Sequence, residues 1–301
     1  MKFSCEQQKL TKALNVVSKA VTSRSTIPIL KGIMLEVTSE GKLTMSASDL
    51  DISIQDTIDV NTTEPGAIIV MAKLFGDIIR KLPSVEINIE SDDENNVTIK
   101  CMNSEFKIIG MSTDEFPNVN MVSEETEAID FNKSELRKMI DKTSFAASNE
   151  ESRGVITGVL IELTPDQMNM VAIDGYRMAI NRKAKVSTNP GNIIISAKII
   201  SEISRIIGET DSDEENGKML LSEKKVIFKF DNIQAELKLI DGEFINYKDI
   251  LPKDSKITAK VNRANFMESI ERASLLSKAG KNNLIKIDLK DNIMTITSNS
   301  E

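Results

Sequence analysis

The stretch PGNIIISAKIISEISR at residues 190–205 decides the fold, because the chain has already used it once, as PGAIIVMAKLFGDIIR at residues 65–80. The two stretches lie 125 residues apart without a gap, and eight of their sixteen positions are identical. Each begins as an apolar strand after Pro-Gly and continues as a helix. A repeat at this spacing indicates duplicated domains rather than a solenoid of short repeats.

The duplication continues on both sides of that stretch. GIMLEV (32–37) corresponds to GVLIEL (158–163), and Asp49 corresponds to Asp174. Apolar stripes at helical spacing predict helices near residues 6–21 and 73–82. Alternating apolar residues predict strands, including LTMSASDLDISI (43–54) and TIDV (57–60). A third copy starts near Ile257, and the sequence stops at Glu301, about halfway through it.

These repeats predict an α+β fold of tandem modules, each with two helices packed on antiparallel sheets. We place module one at 1–124, module two at 125–252 and the first half of module three at 253–301. Half a module would leave a sheet edge and an apolar face exposed to water. We therefore expect the sequence to be truncated within module three, and the 301-residue chain to be largely monomeric or prone to aggregation compared with a completed one.

The composition excludes several classes of enzyme. The chain contains no His, so a Ser-His-Asp or Cys-His hydrolase is excluded and the commonest zinc ligand is missing. Cys5 and Cys101 lie in apolar, strand-like segments, which favours reduced, buried thiols over a disulfide or a reactive thiol. The N-terminus has no secretory apolar core and no apolar run is long enough to span a membrane, so the sequence predicts a soluble, cytoplasmic protein.

The charge distribution points in two directions. The net charge of −8 argues against tight nucleic-acid binding by the protein as a whole. Lys73 and Arg80, however, lie seven residues apart and share one helix face, and Lys198 and Arg205 repeat that arrangement. A solvated face is the alternative explanation, because the acidic residue between each pair could form an intrahelical ion pair worth only ~0.3–0.5 kcal/mol.

Acidic residues concentrate in two turns, 91–96 and 209–215, far along the chain from those basic positions. We interpret both as solvated loops. A Ca²⁺ site is the minor alternative, because neither turn has the Asp-x-Asp-x-Asp-Gly pattern with a closing Glu.

With these repeats in view, the chain resembles the bacterial sliding clamps, the beta subunits of DNA polymerase III, over its full length. The resemblance is carried by Arg24 with Pro28-Ile29-Leu30, by AIDGYRMA at 172–179, and by Asp241-Gly-Glu-Phe with Tyr247 and Leu251-Pro252. Clamps of this family are non-catalytic processivity factors that need no cofactor or metal. They are head-to-tail homodimers in which six modules form a ring, with helices lining the bore.

The resemblance implies a DNA-clamp fold and three kinds of partner. Double-stranded DNA would pass through the bore without sequence readout, held by topology and weak phosphate contacts. The alpha subunit of DNA polymerase III, the clamp loader and other proteins with clamp-binding motifs would bind a cleft beside the junction of modules two and three. A second copy of the chain would close the ring.

The resemblance also assigns residues to each of these sites. Together with the helix geometry, it places one set of cations in the bore, with Lys12 and Lys138 as further candidates: Arg24, Lys73, Arg80, Arg137, Lys198 and Arg205. We call the last five the basic helix face. The set that would form the partner cleft is Arg153, Val155, Ile156, Ile173, Gly175, Arg177, Met178, Ile245 and Ile250. The set that would form the dimer interface is Phe106 and Ile108 on an edge strand of module one, with Leu275 and Leu276 on the facing helix of module three.

Ordinary packing is the alternative explanation for the apolar members of these sets. Ile245 also stands where a Pro is common in the family, and the strands that normally complete the cleft lie beyond Glu301. Two other functions remain open at this point. One is an acidic interaction scaffold that never encircles DNA. The other is a carboxylate-dependent nuclease, against which we interpret Asp49, Asp51 and Asp56 as turn and edge residues.

Overall fold

The computed structural model describes residues 1–22, 25–117, 128–184, 190–210, 214–252, 254–279 and 283–299. The chain divides into two compact units, Met1–Ile245 and Asn246–Glu301. The first unit contains both copies of the duplicated sequence, and the second contains the start of the third copy. No helix in the described part of the chain is long and apolar enough to cross a membrane.

The elements follow the duplicated pattern. Within module one the structure has β1 (Lys2–Glu6), α1 (Gln7–Val17), β2 (Gly32–Val37), β3 (Lys42–Ser48), β4 (Ile52–Asp59), β5 (Asn61–Glu64), β6 (Gly66–Met71), α2 (Ala72–Lys81), β7 (Glu86–Ser91), β8 (Asn96–Cys101) and β9 (Ser104–Ile109). Within module two it has β10 (Ala128–Asn132), α3 (Lys133–Asp141), β11 (Gly158–Leu163), β12 (Gln167–Ile173), β13 (Met178–Ala184), β14 (Gly191–Ser196), α4 (Ala197–Glu209), β15 (Asn216–Leu221), β16 (Lys225–Phe230) and β17 (Ile233–Lys238). The second unit has α5 (Tyr247–Ile250), α6 (Arg263–Ala279), β18 (Ile285–Lys290) and β19 (Ile293–Ser298). Short 3-10 segments lie at Ser18–Ala20, Pro28–Lys31, Ser144–Ala146 and Glu151–Thr157.

The two modules share one sheet. The order β10-β15-β16-β17-β4-β3-β2-β6 takes four strands from each module, and β17 lies antiparallel to β4 with Ala235 opposite Ile54 and Leu237 opposite Ile52. Both Ala235 and Leu237 are completely buried. The sheet hydrogen bonds therefore run without interruption from one module into the next.

The remaining sheets of the first unit repeat the two halves of this shared sheet. The five-stranded sheet β5-β1-β7-β8-β9 contains the module-one equivalent of β10-β15-β16-β17, and the four-stranded sheet β13-β12-β11-β14 is the module-two equivalent of β4-β3-β2-β6. In the described sheets, β9 and β13 are consequently edge strands, whereas their counterparts β17 and β4 pair with each other.

The spacing between the copies changes once along the chain. Gly32 at the start of β2 matches Gly158 at the start of β11, 126 residues later, whereas β3 and β12 are 125 residues apart. The cause is the turn after β11, residues 164–166, which is one residue shorter than the turn 38–41 after β2. Equivalent residues can therefore be assigned on both sides of that turn.

Each module covers its sheets with two helices. Helix α1 buries Leu10, Leu14 and Val17, and α4 buries Ile200 and Ile203, at the three- and four-residue spacing of a single helix face. Helix α1 packs on α2, and α3 packs on α4. One apolar core runs through both modules, from Phe3 on β1 to Leu237 on β17. Burial along one stripe leaves the opposite face of every helix in solvent.

The sequence-based interpretation of β4 was wrong in two respects. Residues 43–54 are not one strand, because the chain turns at 49–51, where Leu50 has a φ of 78°, and β4 then runs unbroken to Asp59. Asp56 is not an edge residue. It lies on β4 between β3 and β17 and is 7% exposed.

The two cysteines are buried and free of disulfide, as the sequence predicted. Burial raises the pKa of the Cys5 thiol to about 12. A thiol of this kind stays protonated and unreactive at neutral pH.

The second unit is a helix with a two-stranded sheet. Helix α6 packs on β19, and the Ser298 hydroxyl donates a hydrogen bond to the Ala273 carbonyl at 2.6 Å. The apolar side chains of this second unit are largely exposed, including Leu275 at 72% and Leu276 at 54%.

Candidate DNA-facing surface and partner cleft

The solvent face of the helices in the first unit is basic, although the net charge of the chain is negative. Helices α1 to α4 carry ten Lys or Arg, of which Lys133 is buried, and five Asp or Glu. The complete chain has 38 basic and 46 acidic residues. Every residue of the basic helix face is exposed, as are Lys12 and Lys138. Arg24 lies outside the described residues.

Arg80 lies along its own helix. Its Nη2 atom is 3.0 Å from Asp77 Oδ1, and its Nη1 atom is 3.4 Å from Asn15 Oδ1 on α1. Gly76, one turn earlier, leaves room for the guanidinium, because a Cβ at that position would lie 2.9 Å from Arg80 Nη2. The predicted intrahelical ion pair is therefore present.

Arg205 repeats this ion pair on α4, where its partner is Glu202. Arg137 pairs with Asp141 at 3.8 Å and lies against α4, since a Cβ at Gly208 would lie 2.6 Å from Arg137 Cζ. Exposed pairs of this kind are worth ~0–1 kcal/mol and are screened by salt. They hold the guanidinium groups near the surface without neutralising the neighbouring lysines.

Lys73 and Lys198 occupy equivalent positions at the start of α2 and α4. Both are exposed, and among the described residues neither has an ion-pair partner. Their charge is therefore not offset by a contacting carboxylate within that part of the chain. The two copies of the helix thus share a paired Arg and an unpaired Lys on one face.

A cross-module ion pair joins the helices of the two modules. Lys19, in the 3-10 turn after α1, lies 3.0 Å from Glu209 at the end of α4, and its side chain is only 16% exposed. The sequence prediction missed this pair, and no local pattern signals a contact between residues 190 positions apart.

The predicted partner cleft is organised around the turn between β12 and β13. Asp174 Oδ1 accepts hydrogen bonds from the backbone N–H groups of Tyr176 and Arg177, and these bonds hold the pKa of Asp174 below its ordinary value. Gly175, with a φ of 92°, supplies the left-handed residue of the turn. The turn is therefore fixed by its own backbone and by a charged cap.

Two arginines of the predicted cleft form hydrogen bonds with this turn. Arg153 donates from Nη1 to the Asp174 carbonyl at 3.0 Å and from Nε to Glu150 at 2.7 Å. Arg177 donates from Nε to Asp174 Oδ2 at 3.0 Å. The pKa of Arg153 is raised by its hydrogen bond to Glu150. Both side chains remain exposed.

The structure brings most of the predicted cleft together in the first unit. Ile173 is buried opposite Met178 on the paired strands, while Met178, Val155 and Ile156 are half-buried. The loop that carries Ile245 approaches the same corner, since a Cβ at Gly242 would lie 2.8 Å from Val155. Ile245 is 41% exposed.

Ile250 ends α5 and belongs to the second unit, where it is 51% exposed. Its assignment to the cleft therefore stays a prediction.

Two aromatic residues at this corner were missed. Phe145 is 57% exposed beneath the guanidinium of Arg177, and Tyr176 at the tip of the turn is 91% exposed. Tyr176 stands inside the DGYR segment and could have been chosen from the sequence. Phe145 lies in a 3-10 turn between regular elements, where periodicity carries no information.

The predicted interface residues of module one lie on β9, which is an edge strand as expected. Phe106 is 38% exposed, whereas Ile108 is 9% exposed and belongs to the core. The β8–β9 and β16–β17 hairpins have the same pairing register, which makes Phe106 the equivalent of Ala235 and Ile108 the equivalent of Leu237. Those equivalents are the buried residues of the β17–β4 junction.

The carboxylates considered for nuclease chemistry do not converge. Asp49 caps its own turn through the N–H groups of Asp51 and Ile52, Asp51 lies 3.5 Å from Lys238, and Asp56 is buried. Within the described residues, no three His, Cys, Asp or Glu side chains are grouped to hold a metal ion.

Comparison with known proteins agrees with this architecture. The DNA polymerase III beta subunit profiles match in chain order: the N-terminal domain at residues 1–120, the central domain at 130–246 and the C-terminal domain at 248–301. The beta sliding clamp of Bacillus subtilis is 34% identical over all of this chain and 81% of its own length, and that of Staphylococcus epidermidis is 30% identical with the same coverage. The chain thus spans about four fifths of these relatives.

Solved structures agree as well. The Bacillus subtilis sliding clamp covers 100% of this chain and 83% of its own, with a TM-score of 0.90 and 30% identity. A Pseudomonas aeruginosa sliding clamp bound to griselimycin covers 99% of this chain and 80% of its own, with a TM-score of 0.89 and 25% identity. The chain therefore belongs to the beta sliding clamp family, the non-catalytic beta subunits of DNA polymerase III that act in DNA replication.

Proposed function

We propose that this chain, once its module three is complete, acts as a processivity clamp, in which two copies enclose duplex DNA and tether DNA polymerase III and other proteins through the partner cleft. The proposal rests on family membership, on β9 and β13 as edge strands of the described sheets, and on the basic helix face. Modules one, two and three follow the boundaries 1–124, 125–252 and 253–301 proposed from the sequence.

The observation that carries the proposal is the β17–β4 junction. It joins β17, the last strand of the module-two run β10-β15-β16-β17, to β4 of module one. Ala235 and Leu237 are buried there opposite Ile54 and Ile52. The equivalent residues Phe106 and Ile108 lie on the edge strand β9. In a chain with a complete module three, the strand that corresponds to β4 would come from a second copy and complete β9 in the same way. Head-to-tail repetition of one junction is what a closed ring requires.

Leu275 and Leu276 of α6 support the same arrangement, because both are large, exposed and apolar. In this proposal they face module one of the second copy. Burial of such residues is worth about 25 cal/mol per Å² of apolar surface removed from water. An interface of this kind would hold the ring closed without any covalent link.

Duplex DNA would meet the basic helix face. Lysine and arginine contacts to phosphate carry no sequence information and weaken as salt rises, which suits a protein that slides. The acidic remainder of the chain would discourage adsorption of nucleic acid elsewhere.

The cleft would bind short peptide motifs, including that of the DNA polymerase III alpha subunit. It offers apolar side chains beside two fixed guanidinium groups, and Met178 adapts to varied partners. A relative binds griselimycin. Griselimycin should therefore displace a fluorescein-labelled clamp-binding peptide from this chain if the cleft is shared.

Loading on circular DNA tests enclosure. A chain with a complete module three, loaded by a clamp loader on nicked plasmid, should stay bound at a salt concentration that strips it from linear DNA, and should be released when the plasmid is cut. Reversing Lys73, Arg80, Lys198 and Arg205 together to Glu should lower retention by about ten-fold or more, since several phosphate contacts are lost. Reversal of Lys42, Lys100, Lys218 and Lys224, which lie on strands or in a turn between strands and away from β9, is the matched control.

Equal retention on circular and linear DNA would contradict enclosure. It would favour the alternative of an interaction scaffold, which predicts peptide binding without retention on circles. Unchanged retention of the helix variant would remove the basic helix face from the proposal.

A further inference from the structure

Phe145 lies beside the partner cleft but was not assigned to it. Its ring centroid is 5.5 Å from Arg177 Cζ, and its carbonyl accepts a hydrogen bond from Arg177 Nη2 at 2.8 Å. The side chain is 57% exposed. Because the ring is this exposed, its burial contributes little to the stability of the fold. Stability alone therefore does not explain an aromatic residue at position 145.

Arg177 is held on three sides at this corner. Its Nε donates to Asp174 Oδ2, its Nη2 donates to the Phe145 carbonyl, and one face of the guanidinium lies over the Phe145 ring. Asp174 is itself fixed by two backbone N–H groups. These bonds use Nε and Nη2, and within the described residues Nη1 donates no hydrogen bond. A free arginine side chain would lose about 2 kcal/mol of rotamer entropy on binding, and this arrangement lowers that loss in advance.

The equivalent corner of module one lacks this arrangement. Ile52 stands at the position of Arg177 and is 3% exposed. Lys19 stands at the position of Phe145 and is bound to Glu209. The stacked pair therefore belongs to module two, where the partner cleft lies, and not to the duplicated scaffold as such.

We propose that Phe145 is a positioning residue of the partner cleft: it holds the guanidinium of Arg177 so that Nη1 can donate to an acceptor oxygen of a bound peptide. The inference rests on the proposed function, in which this cleft binds peptides. An arginine is a donor only, so the group it meets is a backbone carbonyl, carboxamide or carboxylate oxygen. The ring acts on the peptide through Arg177.

The test measures the affinity of a fluorescein-labelled peptide carrying the clamp-binding motif of a DNA polymerase III alpha subunit, by fluorescence anisotropy. Phe145→Ala should raise Kd by about two- to five-fold, the range of an exposed cation–π contact. Phe145→Leu keeps an apolar side chain without a π face and should behave like Phe145→Ala. Phe145→Tyr should restore affinity to within about two-fold, because it keeps the ring. Met102→Ala, at another exposed apolar residue, is the matched control.

A double-mutant cycle separates positioning from direct contact. In an Arg177→Ala background, Phe145→Ala should cause no further loss, since the ring then has no guanidinium to hold. Equal losses in both backgrounds would show that the ring touches the peptide itself and would overturn the inference. So would a Phe145→Ala variant that binds as tightly as wild type.

These outcomes are distinct from failure of the proposed function. If wild type itself does not bind the peptide, the cleft proposal fails. If wild type binds and only the Phe145 variants behave otherwise than expected, the positioning role alone is removed. Circular dichroism melts of each variant show whether it is folded.

Discussion

The same turn joins β3 to β4 in module one and β12 to β13 in module two, but the side chain that follows the turn is buried in one copy and exposed in the other. In both, an aspartate caps the turn: Asp49 accepts the N–H groups of residues 51 and 52, and Asp174 those of residues 176 and 177. The capped residue is buried Ile52 in one copy and exposed Arg177 in the other. The backbone is a shared scaffold, and its side chains decide whether a corner joins the core or offers a binding surface.

The strands that follow these turns differ in the same sense. Strand β4 is enclosed between β3 and β17, whereas β13 is an edge strand of its described sheet. Asp56 on β4 is buried, and its equivalent Asn181 on β13 is half-buried and carries no charge. Exchange of equivalent residues between the copies therefore tests the comparison at three positions.

The largest effect is expected from exchanging Ile52 and Arg177. Ile52→Arg places an unpaired charge in a buried site and should lower the free energy of unfolding by about 3–5 kcal/mol. Arg177→Ile lies on the surface and should change stability by about 0.5 kcal/mol or less, while raising the peptide Kd by about ten-fold or more. Urea unfolding and fluorescence anisotropy measure the two quantities. Equal stability losses would mean that the corners are alike after all.

A smaller effect is expected from Asp56→Asn. Desolvation by burial raises the pKa of Asp56 from 3.8 to about 6, against a hydrogen bond from Thr57 that lowers it, and Asp231 nearby raises it further. The folded protein therefore binds this proton more tightly than the unfolded chain. Wild type should lose stability relative to the variant as pH rises from about 4 to about 6, and the difference should then stay constant at about 1–3 kcal/mol.

Urea unfolding of wild type and Asp56→Asn at pH 4.5, 6 and 7.5 measures this difference. Asn181→Asp is the reciprocal variant and should have little effect, because that position is half-buried. Asp59→Asn is the surface control: Lys42 lowers the pKa of Asp59, so loss of its charge should not stabilise the protein at any of these pH values. A gain that is already complete at pH 4.5 would rule out the titration of Asp56 as its cause.

The duplication explains why much of the fold could be predicted. The apolar stripes located α2 to within one residue of its observed range, Ala72–Lys81, and matching the copies paired Asp49 with Asp174, although the predicted strand 43–54 ran through the turn at Asp49. The sequence also contained a signal for the burial of Asp56. At a spacing of two residues, Asp56 shares one face of the strand with Ile52, Ile54 and Ile58. The prediction split that strand and so lost the alternation.

The contacts between elements could not be predicted in this way. The pairing of β17 with β4 joins residues about 180 positions apart and leaves no periodic pattern in either strand. The stacking of Phe145 under Arg177 joins a 3-10 turn to a strand, and only the fold brings them together. The cleft residues taken from the family resemblance, apart from Ile250, lie at one corner within the first unit. Their role in binding stays a prediction.

The smallest effect is expected at the tip of the two turns, where Leu50 and Gly175 are equivalent. Both have a positive φ, 78° and 92°, which disfavours a side chain with a Cβ by about 1–2 kcal/mol. Part of that gain is offset by the greater flexibility of glycine in the unfolded chain, so Leu50→Gly should stabilise the protein by about 0.5 kcal/mol. Gly175→Leu should destabilise it by about 1 kcal/mol and also weaken peptide binding, because Arg153 and Arg177 both grip this turn. Leu74→Gly, at a position in α2 that is also exposed, is the control and should be destabilising. If Leu50→Gly destabilised the protein as Leu74→Gly does, the Leu50 side chain would contribute more to stability than its backbone conformation costs.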